Sequence, residues 1–453
     1  MLEFSVEWQD APGVRHPVLA RTWCRLTIRA GGRPVSRLYD HRTKGRRNGV
    51  YGSAFPLCAW LVDNYWFLTS ESYKWAARYG SRYLARNTSD RAWVQRHSLL
   101  AAREGGALPD LTLYRDGDRV TARWLKDGGD NANEHIRFVE EGSVRLPPED
   151  VRGAITRFVK AVLDRVSGLS DDEVLQLRED WEEIQGLTEE DRRIFEWGAR
   201  LGVDARFEDE LSPEHEDLLR ANLPRWGKDI ADDLLSSSTI KHFGADASWI
   251  EEARALAGND VVERRSSAKR SLPALAPKGK AHLMGHAHAV DFRKSMDIPN
   301  VITDMEDFVR DLGWAESPFK VAKSSPSSLI RGFLGYSKGD APVLVAHGDS
   351  EDTPTGRFLL ARSLYMRICS ESGKPRLVTD SHVWDQRASR AFAAEILAPA
   401  EGLRGKVRSG KASLLDVRHL AEDFGVSTEV VRHQLENYNV ATVEGTPSSD
   451  ALW

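Results

Sequence analysis

Apolar residues along this chain change period several times, and each change marks a change of element. Trp23 to Arg29 alternates apolar and polar positions with period two, the spacing of a half-buried strand. Ala30-Gly31-Gly32-Arg33-Pro34 supplies a turn, and Val35 to Tyr39 predicts the return strand of a hairpin. From Ala54 to Tyr73 the period becomes helical, with Leu57, Trp60, Leu61, Tyr65, Trp66 and Leu68 on one aromatic, amphipathic helix. Leu111 to Tyr114 and Val120 to Trp124 flank Asp116-Gly117-Asp118, and Asp-Gly accepts the backbone of a tight hairpin turn. Val151 to Val166 predicts a helix closing this part, with Glu149 and Asp150 at the positive end of its dipole.

Short acidic helices follow. Leu169-Ser170-Asp171-Asp172-Glu173 and Leu187-Thr188-Glu189-Glu190-Asp191 each set a Ser or Thr N-cap ahead of acids. Ser212-Pro213-Glu214 adds Pro at the first helical position. Ser, Pro, Lys and Arg accumulate from Glu263 to Lys280, the composition of a linker. Beyond it, Ala281 to Met296 and Val301 to Trp314 predict helices, the second with Thr303 as N-cap. Leu329 to Gly335 and Val343 to Ala346 predict strands. Arg357 to Pro399 holds two further helices, RFLLARSLYMRI and SRAFAAEILAP, joined by a polar loop. Asp416 to Phe424, Gly425, Ser427 and Thr428 to Asn437 have the grammar of a helix-turn-helix pair. The expected fold class is α+β and multidomain. An N-terminal α/β domain spans 1–167, an acidic helical middle with the linker spans 168–275, and a mostly helical domain with a small sheet spans 276–453.

Composition narrows the reading. With 453 residues, 41% hydrophobic and 29% charged, the chain has the make-up of globular protein rather than a disordered one. Its net charge of −5 is uneven: roughly +5 over residues 1–150, about −9 over 151–275 and about −1 over the rest. The opening MLEFSVEWQD lacks the basic and apolar regions of a signal peptide, and no apolar run is long enough for a membrane span. Cys24, Cys58 and Cys369 are scattered without a CxxC pair, as suits a reducing compartment. A cytoplasmic protein with no membrane contact is expected.

RFLLARSLYMRI followed by SRAFAAEILAP resembles the core of the ImmA/IrrE family of zinc metallopeptidases, where the first helix carries HExxH in an RFxLAHELGH-like run and the second ends in AxxFAAELLMP-like text. GHAHAVDFRKSMDIPNVITDMEDFVRDLGW is similar to the family's opening, LIRGFLGYSKGDAPVLVAHG to its strand pair, and LAEDFGVSTEVVRHQL to its trailing helical pair. The resemblance covers roughly Ala281 to Asn439 and implies a zincin-like C-terminal domain.

It also exposes a loss. HExxH works because residues i and i+4 share one helical face, so two imidazoles hold one Zn²⁺ while the Glu activates its water. Carried over, the first His falls on Arg362, the Glu on Ser363 and the second His on Met366, with Asp385 the one acid near the third ligand's place. A guanidinium offers no lone pair, and a lone thioether does not hold zinc. Arg362 is therefore expected to face Asp385 or Glu395, since a buried charge needs a partner. His282, His286 and His288 could hold a relocated zinc, though histidines on an amphipathic helix usually face solvent. Arg42, Lys44, Arg46 and Arg47, with glycines at 45 and 49, could meet phosphates, though such loops are usually simply solvated. Arg432 and His433, with Gln434, would be the reading face of a DNA-binding helix pair, although such pairs also serve as packing units.

The resemblance implies a catalytically inactive relative: a regulatory, sensing or scaffolding binder in a bacterial stress, mobile-element or defence pathway, without cofactor. Intact family members cleave helix-turn-helix repressors, so a protein partner of that kind is expected. An active zinc endopeptidase with a relocated site, and a DNA-binding regulator, are the alternatives.

Overall fold

The computed structural model describes residues 1–11, 13–73, 88–103, 106–127, 135–258, 280–327, 329–348, 352–369, 374–407 and 410–444. They form a mixture of 17 helices and several small sheets. They fall into two compact units, the first ending at Glu216 and the second continuing from Asp217, each with its own apolar core. The break lies inside one helix of the acidic stretch, so that stretch contributes to both units. The linker expected from Glu263 to Lys280 lies almost wholly outside the described residues.

In the first unit, β1 (Leu2–Trp8) pairs antiparallel with β2 (Trp23–Ala30), with the short helix α1 (Pro17–Arg21) between them. The expected period holds, since Cys24, Leu26, Ile28 and Ala30 all point inward. The expected return strand does not continue. β3 (Arg33–Pro34) pairs for two residues, and then the Ser36 hydroxyl, rather than the ladder, binds Ile28 N at 2.9 Å and Asn48 O at 2.8 Å. β4 (Leu38–Asp40) and β5 (Gly45–Arg47) form a separate hairpin, and β6 (Val50–Ser53) returns to β2.

The aromatic helix divides into α2 (Phe55–Asp63) and α3 (Tyr65–Ser70), and the chain is extended again by Glu71. Asn64 stands at the junction, where its side chain bonds Trp60 O at 2.9 Å beside its own backbone N–H at 3.1 Å. After α4 (Thr88–His97), β7 (Asp110–Asp116) and β8 (Arg119–Leu125) make the expected hairpin, with Gly117 at φ +66. β9 (Ile136–Phe138) joins β4, and β10 (Gly142–Leu146) extends β8. α5 (Pro148–Arg165) buries Val151, Ala154, Ile155, Phe158, Val159 and Val162, one helical stripe. α6 (Asp172–Gly186) is capped by Asp171 rather than Ser170, while Thr188 caps α7 (Glu189–Leu201) as expected.

After α8 (Pro213–Trp226), the second unit contains α9 (Lys228–Ser237), α10 (Ile240–Ala257), α11 (Ala281–Met296) and α12 (Met305–Asp311). α12 is much shorter than expected, and Asp304, not Thr303, caps it at 2.9 Å from Asp307 N. The carbonyls of Ile302 and Thr303 are taken by the Arg357 guanidinium instead, at 2.6 and 3.1 Å. The sheet runs β11 (Phe319–Ala322), β13 (Pro342–His347), β12 (Ile330–Tyr336), β14 (Arg376–Thr379), with only the β11–β13 pair parallel. β13 is buried at five successive positions, which requires cover on both faces. α10 and α13 (Pro354–Cys369) both pack on it. The sequence pattern revealed neither β11 nor β14, which has just four residues and lies within the expected polar loop.

α14 (Trp384–Leu397) starts five residues before the expected Ser389 and packs on both α13 and α11. A Cβ at Gly285 of α11 would collide with Ala388 O, so only glycine permits this close approach. α15 (Ala400–Lys406) and β15 (Lys411–Ala412) lead to α16 (Leu414–Phe424) and α17 (Thr428–Asn437), and β16 (Thr442–Val443) pairs with β15. Gly425 at φ +61 and the Ser427 cap realise the expected helix-turn-helix grammar. Among the described residues, no helix is long and apolar enough to cross a membrane.

Candidate functional site

α13 is buried nearly all round, including Arg362, Ser363 and Met366. A helix of that kind occupies the middle of its unit, and here its central residue is an arginine only 1% exposed. The Arg362 guanidinium is met by four acceptors. Nε donates to Ser389 Oγ at 3.2 Å, Nη1 to Asp380 Oδ1 at 3.3 Å, and Nη2 to Thr379 O at 2.5 Å and Gln386 Oε1 at 2.9 Å. β14 delivers the carbonyl and the acid from its C-terminal end, while α14 delivers the amide and the hydroxyl from one face.

Arg362 thus faces Asp380, not Asp385 or Glu395. Asp385 sits in the first turn of α14 and is half exposed, 3.5 Å from Arg376. Glu395 lies two to three turns along and is engaged by Ala400 N at 3.1 Å and Gln434 Nε2 at 2.8 Å. Ser363 bonds back to Leu359 O at 2.9 Å, and Met366 packs in the apolar core. The four motif-equivalent side chains therefore do not converge on a common point.

Gln386 links this centre to a second buried pair. Its Nε2 donates to Leu377 O at 2.8 Å and lies 3.3 Å from Asp233 Oδ1, while Arg376 grips Asp233 with two bonds of 2.7 and 3.0 Å. Burial opposes the Arg376 charge, but Asp233 raises its pKa above the usual arginine value. Arg362 lacks so strong a partner: burial lowers it, and Asp380 offsets that only in part.

Positive charge exceeds negative around Asp380. Arg331 pairs with it through Nε at 2.5 Å, and Arg390 reaches the carbonyls of Thr379 at 3.5 Å and Ser381 at 3.1 Å. Burial and the neighbouring Arg362 bring Arg390 down to about 9. Burial, then Arg390 and Arg387, bring His382 down to about 4. Asp380 is itself raised by burial but held below the usual carboxylate range by Arg362 and Arg331.

The α11 histidines face different neighbours instead of sharing solvent. His286 stacks on Tyr438 at 3.8 Å with Nδ1 3.3 Å from Glu395, and His288 is buried with Nδ1 3.7 Å from Cys369 Sγ. His282 is half-buried, and burial, then Lys280, lower its pKa. Among the described residues, no three His, Cys, Asp or Glu side chains converge as metal ligands. Arg432 lies 3.8 Å from Glu429, while His433 and Gln434 are buried, at 4% and 1% exposure. Arg42, Lys44 and Arg46 are exposed around the β4–β5 turn. Arg47 pairs with Asp40 at 2.7 Å, and the same carboxylate caps the turn through Arg42 N and Thr43 N.

Sequence reasoning missed Asp233, Asp380, Gln386 and Arg390. The one available signal was the polar Thr379-Asp380-Ser381 run beside the motif. No protein-family model matches this sequence, and no curated protein matches it either.

Proposed function

We propose that this chain is a catalytically inactive ImmA/IrrE-like protein, with a zincin-like C-terminal domain that binds a partner and does not hydrolyse it. The observation that carries the reading is the buried Arg362 guanidinium, hydrogen-bonded to Ser389, Thr379, Asp380 and Gln386 where the motif would put a metal-binding imidazole. A cation filling that position repels a second cation, and the neighbouring Ser363 brings no carboxylate to activate water. Arg331, half exposed beside Asp380, offers its guanidinium to an acidic segment on the partner. A regulatory, sensing or scaffolding role in a bacterial stress, mobile-element or defence pathway follows from this reading, with a helix-turn-helix regulator as the kind of protein bound.

Elemental analysis of the purified full chain tests it. Zinc far below one atom per chain is expected. Stoichiometric zinc, with peptidase activity lost on chelation, would overturn the reading.

A further inference from the structure

The first unit contains a cleft of about 440 Å³ that neither the motif nor the arginine centre uses. Trp23, Leu26, Val50, Leu57, Leu108 and Ile136 form its apolar wall, and Tyr51, 47% exposed, lies on its open side. Pockets for small molecules have this volume and this mostly apolar lining. Its polar groups are few. The Ser53 hydroxyl is already engaged by Thr22 Oγ1 at 2.8 Å and Phe55 N at 3.2 Å.

Among the described residues, none is hydrogen-bonded to or ion-paired with the Arg103 side chain. It lines the cleft, its Nε is buried without a hydrogen bond, and among the described residues no carboxylate is in ion-pair range of it. A guanidinium at the edge of an apolar cleft, with no carboxylate partner among the described residues, offers an anion bound there a charge-assisted hydrogen bond. We propose that the cleft binds a small amphipathic carboxylate, an aliphatic or aromatic acid with its apolar body against the Trp23–Leu57 wall and its carboxylate on Arg103. The cleft belongs to the other unit, so this site stands whatever the arginine centre around Asp380 binds.

Octanoate and octanol share an apolar body and differ in head group, so calorimetric titration of each into the full chain separates the two contributions. Saturable octanoate binding is expected, at least about 10-fold tighter than octanol, because a charge-assisted hydrogen bond is worth roughly 1.5–3 kcal/mol, or about 10–100-fold. Arg103→Gln should weaken octanoate by about the same factor and leave octanol unchanged. Ala107→Phe, which fills the cleft from its lining, should weaken both ligands. Equal affinity for octanoate and octanol, or no saturable octanoate binding at millimolar concentration, would overturn the proposal. So would undiminished octanoate binding by a folded Arg103→Gln chain. The octanoate–octanol contrast needs no variant, so a misfolded substitution leaves the decision intact.

Discussion

Each unit buries a charged centre, and the two are built in opposite ways. In the first unit the centre is an acid. Glu71 is held by Arg96 through two bonds of 3.0 and 2.8 Å and by His97 Nε2 at 3.0 Å, while His97 Nδ1 lies 2.6 Å from Leu113 O. Both ring nitrogens lie against oxygen atoms. Burial raises the Glu71 pKa, but His97 and Arg96 more than reverse it and leave it below the usual range. In the second unit the centre is a base, Arg362, served by three neutral acceptors and one carboxylate, and burial prevails over those partners. Glu71 is over-compensated by direct ion pairs and Arg362 under-compensated. The first arrangement suits a structural lock. The second holds a charge whose partners are mostly neutral, so it contributes less to stability.

The sharpest way to break this comparison is Glu71→Gln, which leaves Arg96 and His97 buried around a neutral amide. It should cost about 3–5 kcal/mol in urea unfolding, and a loss below about 1 kcal/mol would end the description of Glu71 as a lock. Acidification should next separate the units. His382 is neutral in the fold, with its pKa lowered from 6.5 to about 4, so between those values the unfolded chain gains a proton that the folded chain refuses. Stability of the second unit should therefore fall as pH drops from 6.5 to 4, by up to about 3 kcal/mol. Glu71, with its folded pKa lowered from 4.5, adds stability that is lost only as pH falls below that value. Hydrogen exchange at pH 7 and 5 should show the second unit loosening first, and His382→Gln should flatten that response. Simultaneous loosening of both units would contradict it.

Arg362→Met should cost about 1–2 kcal/mol in urea unfolding, less than Glu71→Gln, because it removes a charge that its surroundings compensate only partly. An equal or larger loss would erase the distinction between the centres. Ser363→Ala should have the smallest effect, within about 0.5 kcal/mol, since only a back-bond to Leu359 O is lost. A serine used in catalysis would instead reveal itself by a loss of function.

Much of the local structure was legible beforehand. The period of β2, the Asp-Gly hairpin, the Thr188 cap and the Gly425–Ser427 turn depend on residues within a few positions of one another, and each appears as expected. The elements that moved did so through distant partners. Arg357 took the carbonyls that α12 would have used, and Ser36 replaced a stretch of ladder with side-chain bonds. β11 and β14 are too short for their periodicity to stand out, and only pairing in the sheet makes them strands.

The identities of Arg362, Ser363 and Met366 were a property of the sequence, and so was the inability of those side chains to form a zinc-binding triad, because ligand chemistry belongs to the residue type. The partner of the buried guanidinium was not. Asp385 and Glu395 were the apparent acids, but α14 starts early enough to turn Asp385 outward, and packing of α17 engages Glu395 through Gln434. The answer, Asp380 with Gln386 behind it and Asp233 beyond, links residues up to 153 positions apart. Side-chain chemistry is fixed residue by residue. The company a buried charge keeps depends on helix register and sheet closure, which exist only once the chain has folded.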